Sequence, residues 1–171
     1  MESGLIYFFT ATNLEWKHLL KNEHHKLIVI NSLRFLVNKN KLKIYAFVIM
    51  PNHIHLIWNI GSSPIKTQQS FMKYTAQSIM EHMRKNGDPL LNEIHVKAAD
   101  REFQLWERNP LAIQLYTSNV IRQKADYIHN NPVHERWHLA AFPEDYKWSS
   151  AAYYLLNRSD WDFITPLDEI S

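Results

Sequence analysis

Two histidines one residue apart, His53-Ile54-His55, are the first residues in this chain whose types and spacing could do chemistry. Side chains alternate along a strand, so His53 and His55 share one face, about 6.5–7 Å apart along the chain, while Ile54 and Leu56 turn toward a core. Two neutral imidazoles held side by side on a rigid element can bind one divalent ion. The spacing alone leaves a second reading open, in which both rings are half-buried and satisfied by backbone carbonyls.

A third reading, a hydrolase that attacks phosphorus with a strand histidine, needs a third histidine two residues on. Ile57 stands there.

The second feature is Tyr127, in Asp126-Tyr-Ile-His-Asn-Asn-Pro-Val133. At about 100° per residue, Val120, Lys124, Tyr127 and Asn131 fall along one helical stripe. Ile121, Ala125 and Ile128 make the neighbouring apolar stripe that docks such a helix. By itself this also reads as a tyrosine at a core margin, with Asn131 as a helix cap.

Together the parts make chemical sense. With a pKa near 10, about one phenol in a thousand is ionised at neutral pH, a poor nucleophile toward an anionic phosphodiester. A divalent ion between the histidines would polarise that phosphate and offset the charge that builds on it. Attack by Tyr127 then splits a hard transfer into two steps through a phosphotyrosine. Two histidines under-coordinate a metal, and Asn131, one turn from Tyr127, is the candidate third ligand. Its oxygen and a phosphate oxygen would favour Mg²⁺ or Mn²⁺.

The elements that must position these groups are legible from periodicity. Leu5 to Ala11, Leu42 to Ile49 and His53 to Ile60 read as strands, the last two joined through Met50-Pro51-Asn52 as a hairpin. Leu27, Ile30, Leu33 and Val37 mark a helix over Glu23 to Asn38, and Met72, Ala76, Ile79 and Met83 a second from about Thr67 to Lys85. Lys85 to Pro89 is a loop, and a strand or irregular hairpin follows between Phe103 and Tyr116. Ser118 is the expected N-cap of the tyrosine helix, which ends near Asn130 ahead of Pro132. A short helix over Trp148 to Leu156 completes the chain. The order predicts an α+β fold, a ferredoxin-like antiparallel sheet (βαββαβ) with helices on one face and a short helical C-terminal extension.

The chain of 171 residues is expected to be one domain, with a catalytic core over about 5–133 and an extension over about 134–171. Without cysteine it has no disulfides, thiolate metal sites or cysteine nucleophiles. Three glycines cannot build a Gly-rich phosphate cradle, which excludes P-loop and Rossmann nucleotide chemistry. No apolar run approaches the ~20 residues of a membrane helix, and no secretory signal is evident, so a cytoplasmic protein without a membrane partner is expected. The net charge of +2 says little about nucleic acid, whereas six tryptophans and eight tyrosines supply faces on which unpaired bases stack.

At Met50-Pro-Asn-His53-Ile-His55-Leu-Ile57 and Tyr127-Ile-His-Asn-Asn131-Pro-Val133 the sequence resembles the single-tyrosine HUH transposases, named for a His-hydrophobe-His motif. It is most similar to the bacterial branch associated with repeated extragenic palindromes. Trp106-Glu-Arg-Asn109 and Tyr146-Lys-Trp-Ser-Ser150 support the resemblance, which spans about Ile6 to Tyr154. It implies that His53 and His55 bind the metal, that Asn131 takes the place of a polar third ligand, and that Tyr127 is the nucleophile. It implies a 5′-phosphotyrosine, a 3′-hydroxyl leaving group and single-stranded hairpin DNA as substrate. Pro110-Leu-Ala-Ile-Gln-Leu-Tyr116 departs from it in being more apolar than that branch's version. Related transposases pair through their sheets, which leaves a homodimer open beside a monomer. Lys124 and Arg108, each adjoining a motif, are the expected DNA-binding residues. A DNA-binding module without turnover and a metal-dependent phosphoesterase using water are the alternatives.

Overall fold

Three long apolar segments pair because each is rich in β-branched and aromatic residues and finds partners on both sides. They are strands β1 (Ile6–Thr12), β2 (Leu42–Ile49) and β3 (His53–Ile60), joined by β6 (Leu111–Gln114) into an antiparallel sheet of order β2-β3-β1-β6. This is the ferredoxin-like order. The sheet is described by a computed structural model over residues 1–158 and 160–170.

The β2–β3 hairpin closes on Pro51 and Asn52, with Met50 N–H donating to His53 O at 2.8 Å. Across the sheet Thr10 lies opposite His55 and Thr12 opposite His53, so Phe8, Thr10 and Thr12 share the histidine face.

Helices cover both faces, not one. On the face away from the histidines, Phe9 meets Trp58 at 4.5 Å and Trp58 meets Phe71 at 6.1 Å. Phe71 lies on α2 (Pro64–Lys85), which packs beside α1 (Glu23–Asn38). On the histidine face lies α4 (Ser118–Asn130), whose Ile121, Ala125 and Ile128 are buried as their stripe requires. The reason is in β3 itself. Ile57 shares the histidine phase while Ile54, Leu56 and Trp58 occupy the other, so neither side of this strand can face water, and all four are fully buried.

Element boundaries follow local chemistry. Helix α2 begins at Pro64, ahead of the expected Thr67, because proline suits a first helical turn. The cap of α4 is Thr117, not Ser118: its side chain accepts from Val120 N–H at 3.3 Å. Asn131, Pro132 and Val133 then tighten into a 3₁₀ turn. The last helix, α5, spans only Ala151–Leu156. A short helix α3 (Leu90–Glu93) and a two-stranded ribbon of β4 (His95–Ala98) and β5 (Arg101–Phe103) were not expected; they are short, local and largely exposed.

The C-terminal segment closes one sheet edge. Ile49 N–H donates to Trp148 O at 2.8 Å, Ser150 N–H to Phe47 O at 3.0 Å and Thr165 N–H to Ile44 O at 2.7 Å, which removes β2 as an open edge. The Tyr146 hydroxyl donates to Ile49 O at 2.8 Å. The Tyr146-Lys-Trp-Ser-Ser150 motif therefore fastens the extension to the sheet. Trp106 likewise fastens its own segment, its indole N–H donating to Thr75 Oγ1 on α2 at 3.1 Å.

Candidate active site

His53 and His55 come side by side from β3, with ring centroids 4.6 Å apart. Each spends Nδ1 on a neighbour. His53 Nδ1 donates to Asn52 Oδ1 at 2.6 Å, and His55 Nδ1 pairs with the Thr10 hydroxyl at 2.8 Å. With Nδ1 engaged, each ring is oriented and its Nε2 can be offered as a lone pair, the arrangement in which imidazoles bind metals.

Electrostatics agrees. Burial, then the nearby Arg136 guanidinium, lowers the His53 pKa to about 4. Burial, then His53 and Lys124, lowers that of His55 to about 3. Both rings are neutral at physiological pH, as ligands must be.

Tyr127 reaches the same place from α4. Its ring sits edge-on to His55 at 5.4 Å and to Phe8 at 6.0 Å, and it stays 51% exposed, open to a substrate. Lys124, one turn earlier, holds its ammonium 4.9 Å from the Phe8 ring centroid and 5.6 Å from that of Tyr127. His53, His55, Tyr127 and Asn131 line one cleft together with Thr10, Trp16, Asn130, His134, Arg136 and Trp137. Among the described residues no carboxylate lines it, which leaves the cleft open to an anion.

Whether a divalent ion fits is decided by the donors. No cluster of three or more histidine, cysteine, aspartate or glutamate side chains suited to a metal occurs among the described residues. A site here would combine two imidazoles with an amide oxygen and leave positions for phosphate oxygens. Asn130 donates its amide nitrogen to Asp126 O at 2.8 Å, and Asn131, on the 3₁₀ turn, lines the same cleft. Two neutral imidazoles with oxygen donors beside them are a donor set that can hold one divalent cation.

No family model matches the chain, and no curated protein does. Solved structures do. A REP-associated tyrosine transposase bound to a REP hairpin superposes with a TM-score of 0.64 at 18% identity, covering 99% of this chain and 87% of that one. The two share a fold. A candidate transposase from Deinococcus radiodurans R1 aligns at 19% identity and a TM-score of 0.47, over 76% of this chain and 97% of its own.

Arg108 stands apart from the cleft that holds His53, His55 and Tyr127. It lines a separate groove between α2 and the β5–β6 connection, where its guanidinium pairs with Asp100 at 3.2 Å. Adjacency to the Trp106 motif in sequence does not bring it near His53. Conversely, Trp16, Asn52, Thr10, Arg136 and Trp137 were not singled out from sequence. Thr10 and Asn52 were readable in principle, one as a polar residue in an apolar strand and the other by preceding His53. Trp16 and the residues after Pro132 meet the site only through the tertiary fold.

Proposed function

We propose that this chain is a single-tyrosine DNA transposase, nicking and rejoining single-stranded hairpin DNA through a 5′-phosphotyrosine. One observation carries the reading: a neutral histidine pair and an exposed tyrosine, from different elements, meet in a carboxylate-free cleft. The fold shared with a hairpin-bound tyrosine transposase supports it.

His53, His55 and Asn131 would hold Mg²⁺ or Mn²⁺. Bound there, the ion supplies Lewis-acid polarisation of the scissile phosphate. The Tyr127 oxygen attacks phosphorus, and its proton passes to water. The bond from phosphorus to the 3′-oxygen breaks, and that oxygen leaves as a hydroxyl after taking a proton. A second 3′-hydroxyl reverses the step, freeing Tyr127 and joining the strands. Asn52 and Thr10 keep the two imidazoles turned to the cleft, and Lys124 adds positive charge where the phosphate binds.

A denaturing gel tests this. Labelled single-stranded hairpin DNA incubated with the protein and Mn²⁺ should give a covalent adduct that is lost in Tyr127→Phe and in His53→Ala. Cleavage that survives Tyr127→Phe would replace the tyrosine with water. Binding without cleavage in Mn²⁺, and again in Mg²⁺, would leave a DNA-binding module.

A further inference from the structure

The walls of the cleft carry a feature that the proposed chemistry does not use. Of six tryptophans, Trp58, Trp106, Trp148 and Trp161 are buried, whereas Trp16 is 57% exposed. Trp16 stands at the cleft with its ring 6.3 Å from His53. Trp137 approaches the same histidine from the chain beyond α4, at 5.9 Å, with Arg136 over its ring at 5.6 Å.

The backbone that presents Trp16 is held in an uncommon shape. Glu15 and Trp16 both have positive φ, 53° and 59°, a region that costs a bulky residue energy and persists only where its surroundings enforce it. Here they do. Glu15 N–H donates to Glu107 Oε1 at 2.6 Å and Trp16 N–H to Asn13 O at 3.0 Å. Asn52 supplies the third tie, its amide nitrogen donating to Trp16 O at 3.1 Å while its oxygen accepts from His53. One buried amide thus orients the histidine and fixes the tryptophan together.

Hydrophobic burial does not explain a large ring held in solvent by a strained turn. A flat face in the cleft that Arg136 also lines suits an unpaired nucleobase: stacking serves the base and Arg136 its phosphates.

We infer that Trp16, with Trp137 as a second wall, is a stacking site for an unpaired base adjoining the scissile phosphate. The position of that phosphate rests on the function proposed above; the stacking does not. Trp16 is a substrate-positioning residue set by the same amide as the histidine pair.

The test is a binding measurement without chemistry, in the full-length chain carrying Tyr127→Phe and in EDTA. Probes are fluorescein-labelled octathymidylate and an abasic strand of equal length. The base-bearing strand should bind about tenfold tighter. Trp16→Ala should remove most of that preference and leave abasic binding unchanged; Trp16→Phe should keep it to within about threefold. Trp137→Ala gives an independent, smaller loss. Equal binding of the two strands by the parent protein, or an unchanged preference in Trp16→Ala, would overturn the assignment. A failed adduct gel with a Trp16-dependent base preference would sink only the proposed chemistry.

Discussion

Two histidine clusters among the described residues differ in what their nitrogens face. Between α1 and α2, His25 donates Nδ1–H to Leu19 O at 2.7 Å and pairs Nε2 with His82 Nδ1 at 3.0 Å, while His24 stacks on His82 at 4.1 Å. There one imidazole fills another's hydrogen-bonding capacity, and His25, fully buried, is a packing element. At β3, by contrast, the second partners are Asn52 and Thr10, each engaging Nδ1. A cleft with an exposed tyrosine lies in front. Residue type does not make a site. The partners behind the ring and the space ahead of it do.

The largest effect that could break this comparison is on metal binding. His53→Ala and His55→Ala should each weaken Mn²⁺ affinity more than about 100-fold in calorimetric titration. His25→Ala should leave it unchanged and instead cost about 1–3 kcal/mol of stability in chemical denaturation, because Leu19 O loses its buried donor. If the outcomes swap, the clusters have been assigned the wrong way round.

Asn52→Ala sharpens the point at the next level. Removing the group behind His53 should lower Mn²⁺ affinity by about 10- to 100-fold with both histidines intact. It should also weaken binding of the base-bearing strand, since the Trp16 carbonyl loses its donor. Full retention of both would mean that Asn52 orients neither ring.

The smallest effect is on pH. Burial lowers the pKa of His53 to about 4, His55 to about 3 and His129 to about 4. Unfolded, each takes a proton near 6.5. Between pH 6.5 and about 4 the unfolded chain therefore binds more protons than the folded one, and stability falls on acidification. Above 6.5 these groups add no slope. Denaturation midpoints from pH 7.5 down to 4.5 check this; a flat profile would contradict the burial of these rings.

Much of this was legible in sequence, for identifiable reasons. Strand alternation put His53 and His55 on one face, and the helical stripe of Ile121, Ala125 and Ile128 turned the Tyr127 edge to the sheet. Those are local periodicities, and local geometry fixes them. The cover on both faces departs from the one-sided expectation because Ile57 shares the histidine phase and needs burial there too. Arg108 shows the opposite limit, since neighbours in sequence need not be neighbours in space. Trp16 lay beyond reach altogether: its role depends on a left-handed turn pinned by Asn52 and Glu107, residues far along the chain. No helix among the described residues is long and apolar enough to cross a membrane, in line with the hydropathy of the sequence.

The most direct measurement is to locate the covalent bond. Hairpin DNA reacted in Mn²⁺, digested with nuclease and trypsin and mapped by mass spectrometry should leave a nucleotide on the peptide that contains Tyr127. A nucleotide on another tyrosine, for instance Tyr116, which is 80% exposed, or strand cleavage with every tyrosine unmodified, would contradict the account.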